Sequence, residues 1–146
     1  MDWRAHFTTN KKGGESMFSS AFHEVAQGIY EAESADYWPD EAEDEEMQLF
    51  LSCGTALILS EPEYELIEIR APLVMPPVEG VSKLLTLASV HMPSHDVEII
   101  DVDDTLAVAG IRLDMRIMSA ERGVNVGLTF RNFVETCWQD ELGADG

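Results

Sequence analysis

Basic residues are scarce in this chain. Nine Lys and Arg stand against 28 Asp and Glu, a formal net charge of −19 over 146 residues. That balance disfavours nucleic acid as a partner, because phosphate backbones are held by Lys and Arg. Anionic membrane surfaces are disfavoured on the same ground. Cysteine is scarce too. Cys53 and Cys137 lie far apart and match no metal-ligand spacing. Two buried thiols in the cytosol are the expected state, not a disulfide. No apolar run reaches the roughly 18 residues of a membrane helix. The opening MDWRAHFTTNKKGGES has none of the apolar stretch of a secretory signal. These absences predict a cytoplasmic protein with no membrane insertion and no nucleic-acid partner.

Motifs that carry chemistry are also missing. There is no Gly-rich phosphate loop, no nucleophile elbow and no paired-Cys metal motif. His91 and His95 have the i, i+4 spacing of two helical ligands, but Pro93 between them opposes a helix, so surface histidines are expected. Asp101, Asp103 and Asp104 resemble the start of a calcium loop without its turn glycine or closing Glu. A solvated hairpin turn is the better reading. Cys137 falls on an apolar helical stripe, where packing outranks nucleophilic chemistry. Trp138 beside it reads as a core or interface anchor. No enzyme is expected, and no catalytic, cofactor-binding or metal-binding residue is assigned.

What the chain does have is apolar material, 45% of its residues, enough for the core of one domain. The clearest pattern runs over residues 106–117. Ala107, Ala109, Ile111, Leu113, Met115 and Ile117 alternate with Leu106, Val108, Gly110, Arg112, Asp114 and Arg116. Period two predicts a half-buried strand. Asp103-Asp104 predicts the turn of a hairpin from residues 97–102 into 105–115.

Taken in order, residues 1–15 read as a flexible tail. Ser16 is a plausible N-cap for an amphipathic helix carrying Phe18, Phe22, Val25, Ile29 and Tyr30, with Gly28 as a weak point. Residues 34–46 form an acidic loop, with Tyr37 and Trp38 expected against the core. MQLFLSC, ALILS and YELIEIRA predict three antiparallel strands, punctuated by Cys53-Gly54 and Glu61-Pro62-Glu63. Leu57, Ile58 and Leu59 leave the second strand no polar face. Pro72, Pro76 and Pro77 should stop the sheet. A helix over residues 79–90 follows, with Val81, Leu84, Leu85 and Ala88 on one stripe. After the hairpin, Ser119 caps a last helix with Val126, Phe130, Phe133, Val134 and Cys137 inward, reaching about Leu142. Gly123 and Gly127 weaken its start, and Gly143 terminates it. The expected fold is a single α+β domain over 16–142 with a short C-terminal tail, 143–146. One antiparallel sheet is flanked by helices in the order α-β-β-β-α-β-β-α.

That order, with the opener MFSSAFHEVAQGIY, the strand trio, the break APLVMPP, the helix EGVSKLLTLASV, the pair VEIIDV and TLAVAGIRLDMRI, and the closing FRNFVETCWQDEL, resembles the class I type III secretion chaperones of Gram-negative bacteria. YbjN-like bacterial proteins share the same pattern. The resemblance implies a homodimer that binds the N-terminal, non-globular segment of a secreted effector and keeps it soluble and export-competent. It implies no cofactor. Client grooves are then expected on the first helix and early strands (Phe18, Phe22, Leu49, Leu51, Leu57). A dimer face is expected on the middle helix and hairpin (Leu84, Leu87, Leu106, Val108). Core packing is the competing reading for each of these residues. The alternative function is a chaperone-like regulator that binds a folded partner of a secretion or stress-response system.

Overall fold

In a computed structural model of the chain, residues 18–37 and 46–143 are described. The expected tail at 1–15, residues 144–146 of the expected tail 143–146, most of the acidic loop, Ser16 and Trp38 lie outside these residues; Gly143 is the last residue of the final helix. Three helices and five strands follow one another: α1 (Ser20–Ala32), β1 (Glu46–Phe50), β2 (Ala56–Glu63), β3 (Leu66–Val74), α2 (Val81–His91), β4 (Glu98–Asp101), β5 (Leu106–Asp114) and α3 (Ala120–Gly143). The strands make one antiparallel sheet in the order β1-β2-β3-β5-β4. The α+β architecture and its element order are those the patterning predicts.

Alternation decides which way the sheet faces. Met47, Leu49, Leu57, Leu59, Ile67, Ile69, Ala71, Leu73, Ala107, Ala109, Ile111 and Leu113 are buried, and they form one cluster with the inner faces of all three helices. The large contributors are Phe22, Phe130 and Phe133, each fully buried. Burying such a side chain contributes about 1.5–3 kcal/mol. The helices therefore share one face of the sheet.

Helix α1 begins at Ser19, whose hydroxyl accepts from the Phe22 N–H. The Ser19 N–H and hydroxyl donate in turn to the Glu61 carboxylate, which also accepts the Glu65 N–H at 2.9 Å. One carboxylate thus ties the start of α1 to the β2–β3 turn, a role the sequence pattern did not reveal. Two boundaries move here. Glu61-Pro62-Glu63 does not end β2. The strand continues through it with an irregularity between Ser60 and Glu63 that accommodates the proline. The turn is Tyr64-Glu65, with Glu65 left-handed at φ 65°.

Pro72 does not stop the sheet either. It lies inside β3, opposite Val108 of β5. Arg70 pairs with Ile58, and by alternation the N and C=O of Pro72 also face β2. The ladder on that side ends where the missing N–H would have been used. The Pro72 carbonyl accepts instead from Thr55 Oγ1 at 3.2 Å and from the Trp138 indole at 3.0 Å. Two side chains replace a strand partner. Leu85, expected on the inner stripe of α2, is 48% exposed; Leu84 and Ala88 are the buried positions.

The glycines that weakened the helix expectations sit where α1 meets α3. A methyl group at Gly28 would lie 2.6 Å from Val124, one at Gly123 would lie 2.9 Å from Val25, and one at Gly127 would lie 2.5 Å from Ile29. Each glycine receives an aliphatic side chain of the other helix, which outweighs its helix-propensity cost of about 1 kcal/mol. Gly127→Val, which overfills the crossing against the buried Ile29, is expected to lower stability by about 2–3 kcal/mol in urea unfolding.

Candidate functional site

With the helices on one side, even-numbered positions of the strands stand on a face that no described helix covers. Its apolar end is a row across the sheet: Phe50 on β1, Ala56 on β2, Pro72 on β3, Val108 on β5 and Ile100 on β4. The end members are open, Phe50 at 76% exposure and Ile100 at 51%. Val74 and Leu106 continue the patch on the next row. A contiguous apolar area on a strongly charged body marks an interaction surface.

The other end of the face is ionic. Arg70 reaches Glu46 at 2.5 Å and Glu68 at 3.2 Å, and Glu68 reaches Arg112 at 3.2 Å. These groups come from β1, β3 and β5, so the chain of charges crosses the sheet. Arg116 grips Asp114 at 2.9 Å, which holds the Asp114 carboxyl below the usual range. Exposed pairs of this kind add little stability. Their effect is on the field: Arg70, Arg112 and Arg116 bring this face close to charge balance on a protein that is otherwise heavily anionic.

A cleft of about 640 Å³ opens where β5 runs on past the start of β4, between the 94–98 segment and the ionic end of the sheet. Glu68, Arg70, His95, Asp96, Arg112 and Val126 are among its lining residues. Within it Glu68 pairs with Arg70 and Arg112, while His95, Asp96 and Glu98 line the side of the 94–98 segment. A second hollow, about 500 Å³, lies beyond His95 against Ser119, Arg122 and Asn125. Among the described residues no three His, Cys, Asp or Glu side chains converge as a metal site. Asp103 serves the hairpin turn: its carboxylate accepts from the Thr105 N–H at 2.8 Å and hydroxyl at 2.9 Å. Those bonds, the backbone one first, hold its carboxyl below the usual range. Cys53 and Cys137 are thiols.

The two edges of the sheet differ. On β1 the register turns the backbone groups of Glu46, Gln48 and Phe50 outward, since Leu51 and Thr55 continue the bonded pairs with β2. The Gln48 carbonyl accepts from the Tyr30 hydroxyl at 2.8 Å. Tyr37 stands edge-on to the Tyr30 ring at 5.3 Å and pairs its hydroxyl with His23 Nδ1 at 2.8 Å. Aromatic side chains from α1 and from the segment after it therefore close this edge. On β4, Val102 donates to Leu106, so Glu98 and Ile100 face β5 and the backbone groups of Ile99 and Asp101 point away from the sheet. Three of the four β4 residues are exposed.

The predicted interaction residues divide accordingly. Phe18, Phe22, Leu49, Leu51 and Leu57, expected to line client grooves, are all buried in the core between sheet and helices, and none presents a surface. An apolar stripe looks the same in sequence whichever it serves. Of the expected dimer face, Leu84 is fully buried and Leu87 packs partly against the core. Leu106 and Val108 are the two that stand on the bare face. Sequence reading missed Phe50 and Ile100 as exposed anchors, although the alternation that buries Leu49 and Ile99 places them outward.

No protein-family model matches the chain, and no curated protein matches its sequence. Among the described residues no helix is long and apolar enough to cross a membrane.

Burial pushes the Tyr30 phenol up from 10.0 to about 12. Below pH 10 the phenol is protonated folded or unfolded; between pH 10 and about 12 only the unfolded phenol ionises, so its contribution to stability is lost through that window. Tyr30→Phe is expected to cost about 1 kcal/mol at neutral pH and to flatten the alkaline loss of stability, both read from urea unfolding across pH.

Proposed function

We propose that the protein is a homodimeric chaperone of the class I type III secretion kind, acting in the cytoplasm, which holds the non-globular N-terminal segment of a secreted effector soluble and ready for export. The observation that carries this reading is the one-sided architecture. The order α-β-β-β-α-β-β-α puts every described helix on one face of the sheet and none of them on the other, where apolar anchors are exposed. Such a face suits a protein that holds other polypeptides.

Two copies meet through the bare face, around Leu106 and Val108, with Phe50 and Ile100 at the margins. Charge supports that choice. Bodies of −19 repel one another, and the repulsion is weakest where Arg70, Arg112 and Arg116 offset the local carboxylates. The client is held without nucleotide, cofactor or bond-making, through backbone added to a sheet edge and apolar side chains set in the surface.

Two measurements test the proposal. Light scattering is expected to give twice the chain mass of 16.3 kDa, and Val108→Glu is expected to give the single-chain mass with the fold kept by circular dichroism. Co-expression with an effector encoded beside this gene is expected to yield a stoichiometric complex that is lost when the effector's N-terminal segment is deleted. A complex with a globular partner that survives that deletion identifies a regulator instead, and an effector that stays soluble alone and never co-purifies defeats the chaperone reading.

A further inference from the structure

We infer that the cleft between β5 and the 94–98 segment is a binding site for a small dipolar molecule with a surplus of positive charge, of which a basic amino acid is the simplest case. The ligand's carboxylate is held at Arg112 and its cationic groups at Asp96 and Glu98. The inference uses the cleft of the single chain and does not rest on the chaperone reading.

The cleft exists because β4 begins late. Its first residue, Glu98, lies opposite Gly110, and the residues before it do not pair with β5, so Arg112 has no strand neighbour on that side. Even-numbered positions of β5 turn their backbone groups toward β4, as the bond from the Val102 N–H to the Leu106 carbonyl shows. The N–H and C=O of Arg112 therefore stand at the cleft, and no described group bonds to them. Gly110 separates Arg70 from Glu98 in the register. A methyl group there would press on the Arg70 stem at 3.3 Å, so the glycine keeps this part of the cleft free. Val97 and the buried Ile111 and Val126 supply apolar lining. The volume, about 640 Å³, is that of a small-molecule site.

The class of ligand follows from the charges on the two walls. On the strand wall, Glu68 is shared between Arg70 and Arg112, and Arg70 holds Glu46 as well. Arg112 spends only its Nε on Glu68, at 3.2 Å; its two terminal nitrogens have no partner among the described residues. On the opposite wall Asp96 and Glu98 stand two residues apart, both exposed, and no described basic group pairs with either. The lining thus sets the cations Arg70 and Arg112 against the carboxylates Glu68, Asp96 and Glu98, one negative charge in surplus. A simple anion would meet two unpaired acids, and the charge of −19 repels it at a distance. A simple polyamine would leave the spare donors of Arg112 unused. A molecule with two cationic groups and one carboxylate matches both walls and offsets the surplus.

The test is a titration of the full chain at about 0.15 M salt, followed by amide NMR shifts and by calorimetry. L-arginine is expected to give saturable shifts confined to Gly110, Arg112 and residues 95–98. Agmatine, which lacks the carboxylate, and L-citrulline, which lacks the guanidinium charge, are each expected to bind about tenfold more weakly. Arg112→Gln is expected to weaken L-arginine by about tenfold and to leave agmatine unchanged, whereas Glu98→Gln weakens both. Both side chains are exposed, so the fold is expected to survive either change. Should a variant fail to fold, the three ligands on the unaltered protein decide. Shifts that do not saturate, or that spread equally to Asp103 and Asp104 in the hairpin turn, mark loose counter-ion binding and overturn the inference. Absence of binding, equal binding of L-arginine and agmatine, or an L-arginine affinity untouched by Arg112→Gln overturns it too.

Discussion

The crossing of α1 and α3 governs the shape of the molecule. Val124, Val25 and Ile29 each occupy the space a side chain would take at Gly28, Gly123 and Gly127, so the two helices approach more closely than side chains at those positions would permit. The pair then spreads its inner surfaces over the middle of one sheet face, and α2 completes the layer beside β4. A two-layer molecule built this way has a single core. No described helix lies on the far side of the sheet, and the sequence supplies apolar residues there all the same.

Much of this architecture was legible beforehand because period-two and helical patterns are written in single residue types. The alternation read over residues 106–117 holds for β5 and its buried face as far as Met115; the strand ends at Asp114, and Ile117 is exposed. The stripe Val126, Phe130, Phe133, Val134 and Cys137 set the inner face of α3, and all five are buried. What escaped depended on long-range geometry. The glycines lowered expectation because intrinsic propensity counts them as defects, and only the neighbouring helix shows what they admit. Pro72 was read as a breaker because a central strand requires its donors; the carbonyl's two side-chain partners are distant in sequence. Glu61 looked like one more acid in a turn. For the candidate site, Leu106 and Val108 were legible as the outward half of an alternating strand. The five expected groove residues were not distinguishable from core, since burial by one's own helices and burial by a guest leave the same pattern.

Charge is distributed with a similar economy. Of the few basic residues, Arg131 joins α3 to α1 through Glu33 at 2.8 Å, and Arg70, Arg112 and Arg116 stand on the bare face of the sheet. The uncovered apolar area therefore adjoins a nearly neutral field, while the outer edge of β4 is strongly negative. Two neighbouring surfaces of one small domain therefore differ in field, one close to balance and the other anionic.

The closure of Pro72 has a consequence for the order of events on the ribosome. The central strand lacks one backbone donor, and the carbonyl that goes with it is satisfied partly by an indole 66 positions later in the chain. During synthesis β2 and β3 emerge before Trp138, so that oxygen lacks its indole donor until α3 follows. The middle of the sheet is thus closed only when α3 has followed the strands out, and until then their apolar side chains wait uncovered.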